Sequence, residues 1–167
     1  NFSNSILTLL ALSFIITLVN FSNFRRDANY TFFPTLPLSD ILADVFDGPR
    51  RIQFETHGAP YVRLGDLDAG EIYFDPCQTI APLDLERRFY LRPGDVLVSK
   101  TGDEPRAVVT SGEAQGAVIA PDIYCLRIHP GRLSPTWLAY FLNTRHGQHL
   151  LSERIAGATV RRLRMAE

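Results

Sequence analysis

Lysine is almost missing from this chain. Lys100 stands alone beside sixteen arginines, and eighteen acids bring the formal net charge to −1. A balance so close to neutral gives the molecule as a whole no pull toward a polyanion or a membrane surface. Cysteine is scarce too. Cys77 and Cys125 are far apart with no CxxC pair, which excludes a paired-cysteine zinc site and favours free buried thiols in a reducing compartment over a disulfide. No HExxH occurs. His146 and His149 in "RHGQH" are separated by Gly147 and have no acid beside them, so they read as a solvated helix end rather than metal ligands.

The signatures of nucleotide and acyl chemistry are absent as well. There is no GxGxxG, GxxxxGK[ST] or GxSxG, so dinucleotide folds, phosphate-binding loops and nucleophile elbows are excluded. "SKTGD" sets Lys100 beside Thr101 but lacks the upstream glycines of a P-loop. Neither "DPPY" nor "NPPF" is present, which removes a base-clamping methyltransferase site. Asp66, Asp68, Asp95 and Asp103 fall at turns, where aspartate bonds its own backbone. Asp103 and Glu104 ahead of Pro105 are too few for a nuclease metal cluster. The expectation is a chain with no catalytic residues, no metal and no cofactor.

What is present is an ordinary globular composition, 46% apolar and 21% charged over 167 residues, enough for one domain and an appendage. The first 24 residues carry no charge, and Ser5 to Phe21 is apolar but for Ser, Thr and Asn. That run is at the short edge of the roughly 17–25 residues a membrane helix needs, and Arg25 and Arg26 after it would mark the cytoplasmic side. No basic leader or cleavage site supports a secretory signal. A membrane anchor, a hydrophobic helix docked on protein, and upstream sequence outside the working domain all remain open. Charge is uneven further on. Between Arg132 and Arg164 six arginines face one acid, Glu153, a local basic end able to meet anions.

Many short elements follow. "ANYTFFPTLP" is a linker. "LSDILADVFDG" predicts a helix, with Ser39 as N-cap, Leu38, Ile41, Leu42 and Val45 at helical spacing, and Gly48 and Pro49 as the stop. "RRIQFETHG" reads as a loop or edge strand, Tyr61 to Leu64 as a short strand entering the turn "GDLDAG", "EIYFDP" as another strand, and "LDLERRFYL" as weakly helical. Val96 to Val98, bounded by Gly94 and Gly102, predict a buried strand. "RAVVTSG" and "QGAVIAP" predict strands paired around "SGEAQG". "DIYCLRIHP" alternates, with Ile123, Cys125 and Arg127 on one face and Tyr124, Leu126 and Ile128 on the other. In "SPTWLAYFLNTRHGQHLLSERIAG", Ser134 is the N-cap, Pro135 the first helical residue, and Trp137, Leu138, Phe141 and Leu142 the apolar stripe. Gly147 is the expected break.

Three of these blocks carry a resemblance. "GAPYVRLGDLDAGEI", "LRPGDVLVSKTGD" and "LSPTWLAYFLNTRHGQHLLSERIAGATVRRL" occur in the order and at the spacings of the target recognition domains of type I restriction–modification specificity subunits. The resemblance runs from about Phe33 to Glu167. It implies a mixed α/β (α+β) domain of short, mostly antiparallel strands, ending in a helical hairpin that leads into a spacer helix. The expected organisation is an apolar N-terminal segment over 1–27, a target recognition domain over 28–157 and the start of a spacer helix over 158–167.

The resemblance also implies a function. Such subunits are non-catalytic and cytoplasmic. Each domain reads one half of a split double-stranded DNA target. A modification subunit using S-adenosylmethionine methylates adenine, and a restriction subunit, a motor–nuclease, cuts. A full specificity subunit has two such domains. The single copy here implies a half-subunit, with dimerisation of halves as a partner option, a degraded gene or a truncated piece. The apolar N-terminus has no counterpart in the resemblance, which makes a membrane role the weaker reading. A recognition module for a stand-alone adenine methyltransferase and a membrane-tethered interaction domain are the alternatives. The family blocks mark scaffold rather than contacts, so the candidate DNA contacts come from charge and loop position. Arginine forks suit phosphates and guanine edges. The candidates are Arg50 and Arg51 after the first element, Arg63 near the turn "GDLDAG", Lys100 and Arg106 around the turn after the central strand, and Arg161 and Arg162 in the loop before the spacer.

Overall fold

The computed structural model describes residues 37–68, 71–73, 78–81, 87–101, 105–152, 155–156 and 162–163. The expectations for the apolar N-terminal run, for Cys77 and for Arg161 lie outside them. β7 (Val96–Ser99) is the centre of the architecture and is buried along its whole length. Leu97 belongs to one apolar cluster, with Phe46, Val62, Ile119 and Ile123, while Val96 and Val98 belong to another, with Leu126, Leu138 and Leu142. A strand covered on both faces reads as a continuous apolar run because successive side chains point to opposite sides. β10 (Ile123–Ile128) obeys the expected alternation. Ile123 and Cys125 enter the first cluster, and Tyr124, Leu126 and Ile128 the second.

β1 (Leu42–Asp47), β10, β7 and β8 (Ala107–Val109) form a four-stranded antiparallel sheet in the order β1-β10-β7-β8. A second sheet runs β2-β6-β3-β9, from β2 (Phe54–Glu55), β3 (Ala59–Val62), β6 (Thr79–Ile80) and β9 (Val118–Ile119). β3 and β9 are parallel, and the other pairs are antiparallel. β4 (Leu67–Asp68) and β5 (Glu71–Ile72) form a small hairpin, and so do β11 (Ile155–Ala156) and β12 (Arg162–Leu163). The mixed, mostly antiparallel class expected from sequence is the one observed.

Two expected elements are different. The stretch expected as a helix is a 3-10 turn at Leu38–Asp40 followed by strand β1. Its register slips between Leu42 and Asp44, which is a bulge. One extra residue puts Leu42 and Val45 on the same face of the strand, against the helix-side cluster. Their three-residue spacing therefore mimics a helix. The expected hairpin around "SGEAQG" does not form. β8 pairs with β7, while β9 joins β3 in the other sheet. Gly112–Ala114 is a 3-10 turn with Ala114 buried, and Leu91 bonds Gly116 and Ala117 through its backbone at 2.9 Å each. Core burial of Ala114 and Ala117 thus separates two strands that local sequence would pair.

Helix α1 (Pro135–Asn143) starts where expected, with the Ser134 hydroxyl accepting from the Trp137 N–H at 3.4 Å. Its buried stripe is Leu138, Ala139 and Leu142, with Phe141 partly buried against the same cluster and the exposed Trp137 stacked on Phe141. The break before α2 (Arg145–Ser152) falls at Thr144, not Gly147. The Thr144 hydroxyl donates to Phe141 O at 2.6 Å and accepts from Gly147 N–H at 3.2 Å, closing one helix and capping the next. Asn143 then treats β8 as a neighbouring strand would. Its Oδ1 accepts from Ala107 N–H at 2.9 Å and its Nδ2 donates to Ala107 O at 2.7 Å, which covers the sheet edge.

Candidate nucleic-acid interface

Strand register brings five of the candidate cations, Arg50, Arg51, Arg63, Lys100 and Arg106, to one end of the four-stranded sheet. Asp47 closes β1 opposite Tyr124. Ile123, the first residue of β10, pairs with Ser99, the last of β7, and Val98 pairs with Ala107, the first of β8. The segment after β1, the turn before β10 and the connection from β7 to β8 therefore leave from the same end. Arg50 and Arg51 are in the first, and Lys100 and Arg106 in the last. The second sheet delivers Arg63 to the same place. Val62 ends β3 opposite Ile119, and its carbonyl accepts from Ala120 N–H at 2.8 Å in the approach to β10. The Tyr61 phenol feels both sides of this junction: burial pushes its pKa up, nearby Asp122 adds to the rise, and Arg63 opposes it.

These cations are held in different ways. Arg50 and Arg51 are exposed, and among the described residues neither has a charged partner. Gly48, just before them, is packed so closely that a Cβ there would lie 1.8 Å from Ile119 O. The loop closes on its far side where Ala81 N–H donates to Gln53 O at 2.8 Å. Arg63 lies 3.6 Å from Asp66, whose carboxylate also accepts from the Arg63 backbone N–H at 2.8 Å. Arg106 donates to Leu67 O at 3.0 Å and lies 3.5 Å from Asp68, both partners being more than half exposed. The Arg106–Asp68 pair is exposed on both sides and worth about 0–1 kcal/mol, so Arg106 can exchange its carboxylate for a phosphate at little cost, whereas Arg63 is half exposed and its partner Asp66 is buried.

Lys100 is unlike the rest. Its ammonium donates to the Asp47 carboxylate and to Pro121 O at 2.8 Å, and it sits 4.2 Å from the centre of the Tyr124 ring. The side chain is only 12% exposed. Arg162 lies in β12 opposite Ala156, a strand residue where a loop before a spacer helix was expected. Its side chain is outside the described residues, so the structure places it with none of the others. Arg132, from the basic C-terminal stretch, follows the other end of β10.

A second buried cation went unnoticed in the sequence. Arg127 donates to Asp95 through Nε at 2.8 Å and NH2 at 2.7 Å, to Arg88 O and Tyr90 O at 3.1 Å, and lies over the Phe46 ring. The Asp95 hydrogen bonds raise its pKa further, against burial. Beside this pair, burial first and then Asp95 push the Cys125 thiol far above its usual range. This is a scaffold pair. The alternation of β10 put Arg127 on the face of Ile123 and Cys125, and that was the only signal for it. Among the described residues no group of His, Cys, Asp and Glu is arranged to hold a metal ion, and no helix is long and apolar enough to cross a membrane.

No protein-family profile matches this chain, and no curated protein sequence does. Solved structures do match. The HsdS subunit from Thermoanaerobacter tengcongensis superposes with a TM-score of 0.53 at 21% identity, over 81% of this chain and 35% of that one. The domain has the HsdS fold. The S subunit of a type I restriction–modification system from M. genitalium also aligns, with a TM-score of 0.47 at 14% identity, over 84% of this chain and 33% of that one. The chain thus spans about a third of the length of these HsdS proteins. Within the HsdS fold, the arginine-bearing end is built by loops and strand ends, and the helices α1 and α2 cover the opposite face of the sheet from the first apolar cluster.

Proposed function

We propose that this chain is a sequence-reading module of a type I restriction–modification system, docking on duplex DNA through the end of the sheets that carries Arg50, Arg51, Arg63 and Arg106. The observation that carries the reading is the HsdS fold over 81% of the chain. Arg50 and Arg51, exposed on a loop anchored at both sides and without a charged partner among the described residues, support it. In this reading the chain catalyses nothing itself. It works in the cytoplasm, reads one half of a split target, and directs a modification subunit and a restriction subunit. A second copy of the domain, from the same or another chain, would supply the other half. Arg50 and Arg51 take phosphates directly. Arg106 joins by giving up an exposed carboxylate, and Arg63 through its half-exposed guanidinium.

The test is affinity for a short mixed-sequence duplex as a function of salt. Each neutralised phosphate contributes about 0.9 to the fall of log K with log salt. Wild type is expected to show a steep fall, and the Arg50→Ala/Arg51→Ala double variant a slope shallower by about 1.8. A wild-type affinity indifferent to salt would sink the proposal, since phosphate contacts cannot be made without releasing counterions.

A further inference from the structure

Lys100 carries more of this end of the molecule than its charge suggests. It follows the last residue of β7, which is buried along its whole length, and its own backbone N–H donates to Asp122 O at 2.8 Å. Its ammonium then bridges two separate segments. Asp47 is the last residue of β1, three positions before Arg50. Pro121 belongs to the turn between β9 and β10, next to Ala120, which is bonded to Val62 ahead of Arg63. The ring of Tyr124, paired across from Asp47, forms the floor. One cation therefore ties together the roots of both arginine-bearing loops. With a carboxylate, a carbonyl and an aromatic face as its partners and most of its surface covered, it has little left to offer a phosphate.

We propose that Lys100 is a positioning residue: its ammonium holds the Arg50–Arg51 loop and the turn before β10 in one arrangement and makes no phosphate contact itself. This inference rests on the DNA-binding reading above. Loops held before binding do not have to be ordered during it, and that saving appears as affinity. Loss of the clamp lowers affinity by the same factor at every salt concentration. Loss of a phosphate contact changes the slope.

The experiment is a double-mutant cycle on the full chain, with a mixed-sequence duplex as probe. Lys100→Met is expected to weaken binding about tenfold, within the range that coupled neighbours show, and to leave the salt slope unchanged. Lys100→Arg, which keeps the charge and can donate to both partners, is expected to recover most of the loss. In the Arg50→Ala/Arg51→Ala background, Lys100→Met is expected to cost little more, because the loop it positions no longer holds phosphates. Asp47→Asn, at a half-exposed site, serves if Lys100→Met does not fold. Measured at salt that screens long-range attraction, it is expected to weaken binding by loosening the clamp. If Lys100 contacted phosphate, removal of its competing carboxylate would strengthen binding. A slope reduced by about 0.9 in Lys100→Met, equal losses in both backgrounds, or tighter binding by Asp47→Asn overturns the clamp alone. A wild type without salt-dependent affinity overturns the DNA reading and the clamp with it.

Discussion

Arg127 and Asp95 show what a charge does in this fold when it is not at the surface. Their side chains are 11% and 3% exposed, and the guanidinium spends its donors on one carboxylate and two carbonyls. Asp95 also accepts from Arg92 N–H at 2.9 Å, so it fixes the turn that starts β7. A buried pair is not a reliable net gain in stability, but removing one partner strands the other, at about 3–5 kcal/mol. Arg127→Met is therefore expected to lower stability by that order, read as a lower urea midpoint at an unchanged denaturant slope. Arg127→Lys should recover little, because an ammonium cannot span the carboxylate and both carbonyls at once. An unaffected midpoint in Arg127→Met would show that the network carries no stability. Of the two buried cations, Lys100 could be named from sequence as unusual and Arg127 only as an awkward member of an apolar face. What each one touches depends on strand register across distant segments, which no local pattern contains.

Among the elements, local chemistry was legible where it decided the outcome. Ser134 and Pro135 start α1, Val96 to Val98 form the buried strand, and β10 alternates. It failed where tertiary contacts outvoted it. The bulge in β1 produced a helical spacing inside a strand, and the buried alanines near Gly116 separated strands that a turn would have joined. Gly147 is the sharpest case. A glycine at that position reads as a breaker, yet it lies within α2, where a Cβ would fall 2.1 Å from Phe141 O. It is there so that two helices can approach each other. Glycine to alanine inside an exposed helix stabilises by about 1 kcal/mol. Gly147→Ala is instead expected to destabilise by about 1–3 kcal/mol as the helices are forced apart, seen as a lower Tm. A raised Tm would mean that the helix contact is easily displaced.

At the scale of the whole molecule, the near-neutral charge and the basic end are compatible because binding is a local matter. Acids pair with Lys100, Arg63 and Arg106, while Arg50 and Arg51 have no charged partner among the described residues. The class of the fold was legible as short strands followed by a helical pair. The candidate interface was legible as a list of loops, but not as a place, since its members converge only through pairing of β1 and β7 with β10, of β8 with β7 and of β3 with β9. That pairing has a consequence in time as well as in space. Leu42 meets Ile128, and Val62 meets Ile119 in parallel. A nascent chain therefore holds β1 without its partner until nearly the whole sheet has been synthesised. Topologies dominated by such distant contacts fold in milliseconds to seconds rather than microseconds. Stopped-flow refolding is expected in that slower range, and a full-amplitude microsecond phase would contradict it. The loop with Arg50 and Arg51, rooted in the earliest of the described strands, takes its final shape only when β10 closes beside it.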